Sequence, residues 1–187
     1  MSHFQNHTIE SAPDAARPVL EGARKSLGFV PNLYARLAES PSALHAYLDL
    51  GKRFESSSLS PTEQQVVSLT ASAINGCEFC VAAHSVIAKN MVGVEASIVD
   101  AIRAGEDIAD ARLNALATFT SAVVRERGWV AGAATDAFLA AGFTPQQALD
   151  VVLGVTMKTL SNYANHLTET PVNAEFAAEA WSRPNAA

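Results

Sequence analysis

Cysteine is almost absent from this chain: 187 residues hold two, Cys77 and Cys80. So few rule out a disulfide-scaffolded mini-protein. A bridge between positions three apart would also close too small a loop to serve as a staple. Basic residues are sparse as well, 13 against 19 acidic, for a net charge of −6. A negative chain without a Lys/Arg cluster repels phosphate backbones, which excludes nucleic acid as the expected partner. No apolar run approaches the roughly 20 residues that cross a bilayer. The opening Met1 to His7 lacks the basic-then-apolar order of a secretory signal. The expectation is therefore a cytoplasmic protein with no membrane partner. In a reducing compartment, two cysteines at that spacing point to redox chemistry or metal binding.

Charged residues make up only 17%, whereas hydrophobic ones reach 49%. That is ample for a core, and the excess suggests surface buried between subunits of a homo-oligomer. Helical periodicity runs throughout. It predicts helices over Pro13 to Leu27, Leu33 to Glu39, one capped by Ser40-Pro41, and one opened by Ser60-Pro61-Thr62-Glu63 as a capping box. That helix should end at Asn75-Gly76 and lead into one carrying the cysteines, closed by Val92-Gly93. Further helices are expected over Val94 to Ala104, Asp110 to Arg127, Ala131 to Ala141 and Thr144 to Leu167, with a frayed one from Pro171. In the helix after Asp110, Leu113, Leu116, Ala117, Thr120 and Val124 should face inward, and Ala131 to Ala141 should pack closely. No stretch alternates with period two long enough to be a strand, so the fold class is all-α. Leu59-Ser60-Pro61-Thr62-Glu63 and Phe143-Thr144-Pro145-Gln146-Gln147 open long helices alike. The pattern fits a decayed duplication into two related helical halves, and fits chance as well, since such starts are common.

The chemistry concentrates in Cys77-Glu78-Phe79-Cys80-Val81-Ala82-Ala83-His84. At about 100° per residue, Cys77, Cys80 and His84 fall within about 60° of arc on a helix. Residues i and i+3 bring their Cβ atoms to about 5–6 Å, close enough for a disulfide after modest adjustment. Cys77 is expected in the first helical turn, where unpaired N–H groups favour a thiolate. His84, one turn beyond Cys80, can take its proton or pair with its thiolate. Two other readings compete: inert half-buried thiols, and a zinc site, which would need a fourth ligand that no second CxxC or HxxxH supplies.

The run Leu59-Ser60-Pro61-Thr62-Glu63-Gln64-Gln65-Val66-Val67, followed by Asn75-Gly76 and the Cys77–His84 segment, resembles the core of AhpD-like alkylhydroperoxidases, in the carboxymuconolactone decarboxylase superfamily. Gly28-Phe29-Val30-Pro31-Asn32-Leu33 and Met157-Lys158-Thr159-Leu160-Ser161-Asn162-Tyr163-Ala164-Asn165-His166 resemble segments of peroxidase-related members. The resemblance implies one AhpD-like helical domain over residues 1–187, with a redox core at about 59–91 and C-terminal helices at about 110–181. It implies trimers or hexamers, a hydroperoxide substrate, an external dithiol reductant, and no cofactor beyond a redox-active Cys77–Cys80 disulfide. On this model Cys80, beside His84, attacks the peroxide and Cys77 resolves the sulfenic acid. The dipole argument alone would favour Cys77 as the more acidic thiol. Where family members carry a relay glutamate twelve residues before the first cysteine, this chain has Gln65, which cannot accept a proton at neutral pH. Glu78 is a second candidate for the relay, or simply a solvated charge. Glu63 is explained by its cap. Phe79 should be core or pocket wall. Lys158, Asn162 and His166, at i, i+4 and i+8, could line the cavity or an interface. His3, His7 and His45 read as surface groups.

Overall fold

The computed structural model describes residues 3–183; Met1, Ser2 and residues 184–187, which the whole-chain domain assignment and the reading of the N-terminus include, lie outside the described residues. Every regular element among the described residues is helical. Helices α1 (Arg17–Leu27), α2 (Asn32–Leu37) and α3 (Pro41–Glu55) are followed by α4 (Pro61–Asn75) and α5 (Glu78–Val86). A π-helical turn (Ile87–Val92) separates α5 from α6 (Ala96–Ala104). Then come α7 (Ala111–Arg125), α8 (Gly132–Ala140), α9 (Pro145–Thr168) and a 3₁₀ segment (Ala174–Glu179).

The expected start signals form as anticipated. Ser60 accepts from the Glu63 backbone N–H while the Glu63 carboxylate accepts from the Ser60 N–H, a complete capping box. Thr144 and Gln147 build the same box on α9, so both openings share one geometry as well as one pattern. The first helix starts later than expected, at Arg17, because residues 9–16 make turns rather than a helix. The π turn after α5 is also new. An extra residue per turn there lets the chain leave the cysteine helix at Gly93.

Helix α4 is the axis of the molecule, packed against α3, α5, α6, α7 and α9. Its residues from Val66 to Ser72 are all buried, which accounts for its near-continuous run of small and apolar side chains. On one side Val66, Val67 and Leu69 pack with Leu116, Phe119 and Val123 of α7 and Val151 and Met157 of α9. Each such side chain contributes about 1.5–3 kcal/mol on full burial. Val123, not Val124, is the buried valine of α7, and Phe119 joins it.

Helix α8 departs from expectation: its alanines are mostly exposed, and Phe138 alone is buried, stacked between Phe119 and Phe143. A second cluster joins Leu20, Leu33, Leu37 and Leu44 of the first three helices to Cys77, Phe79 and Cys80. Helix α9 crosses close to α3 and α4 at Gly154, where a Cβ would lie 2.6 Å from the Phe54 ring and 2.9 Å from Val67.

Candidate active site

The turn between α4 and α5 aims the first cysteine. Gly76 takes the left-handed conformation (φ 71°), and the Cys77 N–H reaches back to the Ser72 carbonyl at 2.9 Å. That bond satisfies a carbonyl at the end of α4 and reverses the chain within two residues. Cys77 is therefore the N-cap of α5, one position before the first turn where it was expected. Its thiol caps nothing and is left for other partners. Cys80 follows within the first turn. Both are free thiols with 1% exposure. Phe79 is buried and meets Phe176 edge to face at 5.8 Å, so it is wall rather than chemistry.

Helix α9 supplies the polar lining. Lys158, Ser161, Asn162 and Asn165 are all buried, at spacing i, i+3, i+4 and i+7. Asn165 Nδ2 donates to Cys80 Sγ at 3.2 Å and to Cys77 Sγ at 3.5 Å. Cys80 Sγ lies 3.7 Å from Ser161 Oγ. Asn162 accepts from Asn75 Nδ2 at 2.9 Å and donates to Ser72 Oγ, locking α9 to α4 beside the sulphurs. His166 is exposed, because an i+8 step turns about 80° away from Lys158 and off this face. The i+7 residue Asn165 takes the place that the i, i+4, i+8 reading gave to His166.

His84 is held at both ring nitrogens. Gln65 Oε1 lies 2.9 Å from Nδ1, and Lys158 Nζ lies 2.8 Å from Nε2. An amide oxygen can only accept and an ammonium can only donate, so Nδ1 carries the proton and Nε2 is the acceptor. Burial and the adjacent ammonium hold the His84 pKa well below the ordinary imidazole value. This corrects the expected Cys80–His84 pairing: in this state the imidazole is neutral and its nitrogens are directed to Gln65 and Lys158 rather than to a sulphur. Gln65 does occupy the place beside His84 that its position in the motif implied.

The two thiols are unequal. The hydrogen bond to Cys80, then burial, then the negative charge of Cys80 push the Cys77 thiol strongly up. Burial also opposes ionisation of Cys80. The hydrogen bond from Cys77, the Lys158 ammonium, Ser161 and Asn162 outweigh it and bring Cys80 well below the ordinary thiol value. The pair thus reads as one thiolate accepting from one thiol. Tyr34 and Tyr47 stand edge to face at 6.0 Å over the site. Burial, followed by the negative charge of Cys80, raises the Tyr47 phenol, so it stays neutral.

Other candidates fall outside this cluster. Glu78 is exposed, being about 100° from the thiol face, and has no place in a relay as built. Glu63 completes its cap and pairs with Arg112 at 3.0 Å. His7 proves to be buried, with Nε2 2.9 Å from a Glu39 carboxylate oxygen, whereas His3 and His45 are exposed. Among the described residues no three His, Cys, Asp or Glu side chains are placed to hold a metal, and Lys158 occupies the His84 nitrogen a metal would use. A cleft of about 500 Å³ runs along the opposite face of α4, past Thr70, Ile74, Arg103 and Trp181, away from the sulphurs. No helix among the described residues is long and apolar enough to cross a membrane.

Residues 41–116, which contain the CxxCxxxH motif, match the carboxymuconolactone decarboxylase family. No curated protein is significantly similar in sequence. Among solved structures, the alkylhydroperoxidase AhpD core of a peroxidase-related protein from Ralstonia eutropha JMP134 is similar with a TM-score of 0.82, at 25% identity over 94% of each chain. A peroxidase-related protein from Silicibacter sp. TM1040 gives 0.79 at 20% identity, over 95% of this chain and 93% of that one. The debrominase Bmp8, as a cysteine-to-alanine variant in complex with 2,3,4-tribromopyrrole, shares the fold at 0.79 and 18% identity over 96% of each chain. Residues 41–116, with the motif inside them, thus carry the pattern of the carboxymuconolactone decarboxylase family, and the helices superimpose over nearly the whole length on the AhpD-like fold.

Proposed function

We propose that this protein is a thiol-dependent peroxidase that reduces a small hydroperoxide. The observation that carries the reading is the cysteine pair under Asn165, whose Nδ2 lies 3.2 Å from Cys80 Sγ and 3.5 Å from Cys77 Sγ, in surroundings that lower the Cys80 pKa and raise that of Cys77. A peroxidase needs one nucleophilic thiolate and one thiol in reserve. The Cys80 thiolate attacks the terminal peroxide oxygen, the O–O bond breaks, and the leaving alkoxide takes a proton to become an alcohol. Cys80 is then a sulfenic acid. Cys77 attacks it, the S–O bond breaks, water leaves, and a Cys77–Cys80 disulfide forms. An external dithiol returns both sulphurs to the reduced state by exchange. Gln65 and His84, on the partly exposed side, are the groups that can hold the peroxide and pass a proton to the leaving oxygen. No resident cofactor enters this cycle.

Burial separates this reading from that of a disulfide-exchange adaptor. A protein disulfide must bring its sulphur in line with the attacking thiolate, so 1% exposure favours a small oxidant and, by the same limit, a small dithiol as reductant over a bulky protein partner. Nothing in a lactone decarboxylation calls for two adjacent thiols. The solved relatives named as peroxidase-related support the same class. The chain is also proposed to act as a single helical domain within a homo-oligomer, in the cytoplasm.

The reading is tested by stopped-flow titration of the fully reduced protein with hydrogen peroxide and an organic hydroperoxide. One equivalent should remove both free thiols and leave an intramolecular disulfide. Thiol loss no faster than for a free cysteine of the same solution would refute it.

A further inference from the structure

Lys158 is among the largest fully buried side chains of the molecule, at 0% exposure. An ammonium taken out of water needs a compensating anion, and none of the ion pairs among the described residues includes Lys158. Its hydrogen-bond partner, His84 Nε2, is neutral. Several titratable groups face it. From α5 come Cys77, Cys80 and His84; from α2 comes Tyr34, whose ionisation its charge favours. From α3 come Tyr47, beside the sulphurs, and the exposed Glu55, whose charge is felt at both tyrosines. Both phenols are held neutral by burial. Ser161, Asn162 and Asn165, its neighbours on α9, carry no charge. Glu55 is exposed to water, so the buried anion left to balance the lysine is a cysteine sulphur, and Cys80 Sγ lies 3.7 Å from Ser161 Oγ on the same face of α9.

We infer that Lys158 is the positioning residue for the reacting thiol: its buried ammonium is the counter-ion of the Cys80 thiolate, and His84 is the neutral group that orients it. The sequence reading gave the cationic role to His84. The structure reassigns it, because a His84 held between an amide oxygen and an ammonium cannot easily take a second proton. In this arrangement Lys158 donates to Nε2, Nδ1–H donates to Gln65, and the chain Lys158–His84–Gln65 leads from the buried charge to the partly exposed edge.

The inference depends on the peroxidase reading only in naming Cys80 as the reacting sulphur. Its test needs no peroxide. Ultraviolet thiolate absorbance and the rate of iodoacetamide alkylation are followed against pH for the reduced full-length protein and for Lys158→Met, Lys158→Arg and His84→Gln. Wild type should hold a thiolate at neutral pH. Lys158→Met should lose it and alkylate about tenfold or more slowly there, its profile moving toward the ordinary thiol range near 8.5. Lys158→Arg should largely restore the profile. His84→Gln should keep the neutral-pH thiolate, since it leaves the ammonium in place. If Lys158→Met does not fold, His84→Gln decides alone. Loss of the thiolate in His84→Gln, or its persistence in Lys158→Met, overturns the assignment. A Lys158-dependent thiolate in a protein that leaves peroxide untouched would instead refute the peroxidase reading and leave this one standing.

Discussion

Asn165 Nδ2 lies 3.2 Å from Cys80 Sγ and 3.5 Å from Cys77 Sγ, so one amide spans both sulphurs of the motif from a helix 85 residues further along the chain. A hydrogen bond to a charged group contributes about 1.5–3 kcal/mol. Asn165→Ala should therefore raise the Cys80 pKa and move the alkylation profile to higher pH. Asn165→Asp, which sets a carboxylate against the thiolate, should move it further still. Unchanged alkylation in both variants would show that the amide does not stabilise the anion.

The pH dependence follows from the direction of the Cys80 shift. Its pKa is lowered on balance, so the thiolate is present above that value and lost as pH falls through it. Cys77, shifted the other way, stays protonated across the same range. The second-order rate of peroxide consumption should be flat through neutrality and decline only on the acid side. A rate that climbs toward an inflection near 8.5 would indicate an ordinary thiol.

Gln65 stands 2.9 Å from His84 Nδ1, and its replacement tests the relay. Gln65→Glu supplies a carboxylate to the Nδ1 proton, which favours the charged imidazole. The His84 pKa should then rise toward the ordinary histidine value, read by the pH titration of its ring-proton NMR signal. No movement of that signal would mean that the ring is held by Lys158 alone.

Much of this was legible in the sequence, and the reasons are physical. Ser60, Pro61, Glu63, Thr144 and Gln147 act within one turn of themselves, so local pattern was enough to find the Ser60 capping box and the like opening at Thr144. Cys77, Cys80 and His84 share one helix, and their common face follows from its period. The pairing of Lys158 with His84 and of Asn165 with the sulphurs is tertiary, joining residues 74 to 88 positions apart. No local rule sets the register of α9 against α5. The one available signal was the i, i+3, i+4, i+7 repeat of Lys158, Ser161, Asn162 and Asn165, which leaves out His166. His7 was misread for the same reason, since its partner Glu39 lies 32 positions away.

Gly154 tests the packing that brings α9 to the site. Alanine gains about 1 kcal/mol in helix propensity, but its Cβ would meet the Phe54 ring at 2.6 Å. Overpacking typically costs about 1–3 kcal/mol, so Gly154→Ala should lower the urea midpoint at unchanged m-value. A raised midpoint would show that α9 is free to shift.

Leu149, Val152, Tyr163 and Leu167 are exposed on the face of α9 opposite the site, within about 60° of arc. This stripe, rather than the alanines of α8, is the surface expected to meet another copy of the chain. Sedimentation equilibrium should return a multiple of the chain mass, reduced by Tyr163→Glu with Leu167→Lys. A monomer in wild type would contradict the proposed assembly.

The central claim is that Cys80 is the attacking sulphur and Cys77 the resolving one, and trapping the sulfenic acid tests it most directly. Single Cys→Ser variants are treated with one equivalent of peroxide in the presence of dimedone and analysed by mass spectrometry. Cys77→Ser should consume the peroxide and carry the adduct on Cys80, while Cys80→Ser stays nearly inert. An adduct on Cys77 in the Cys80→Ser protein, with Cys77→Ser inert, would reverse the roles and contradict the account.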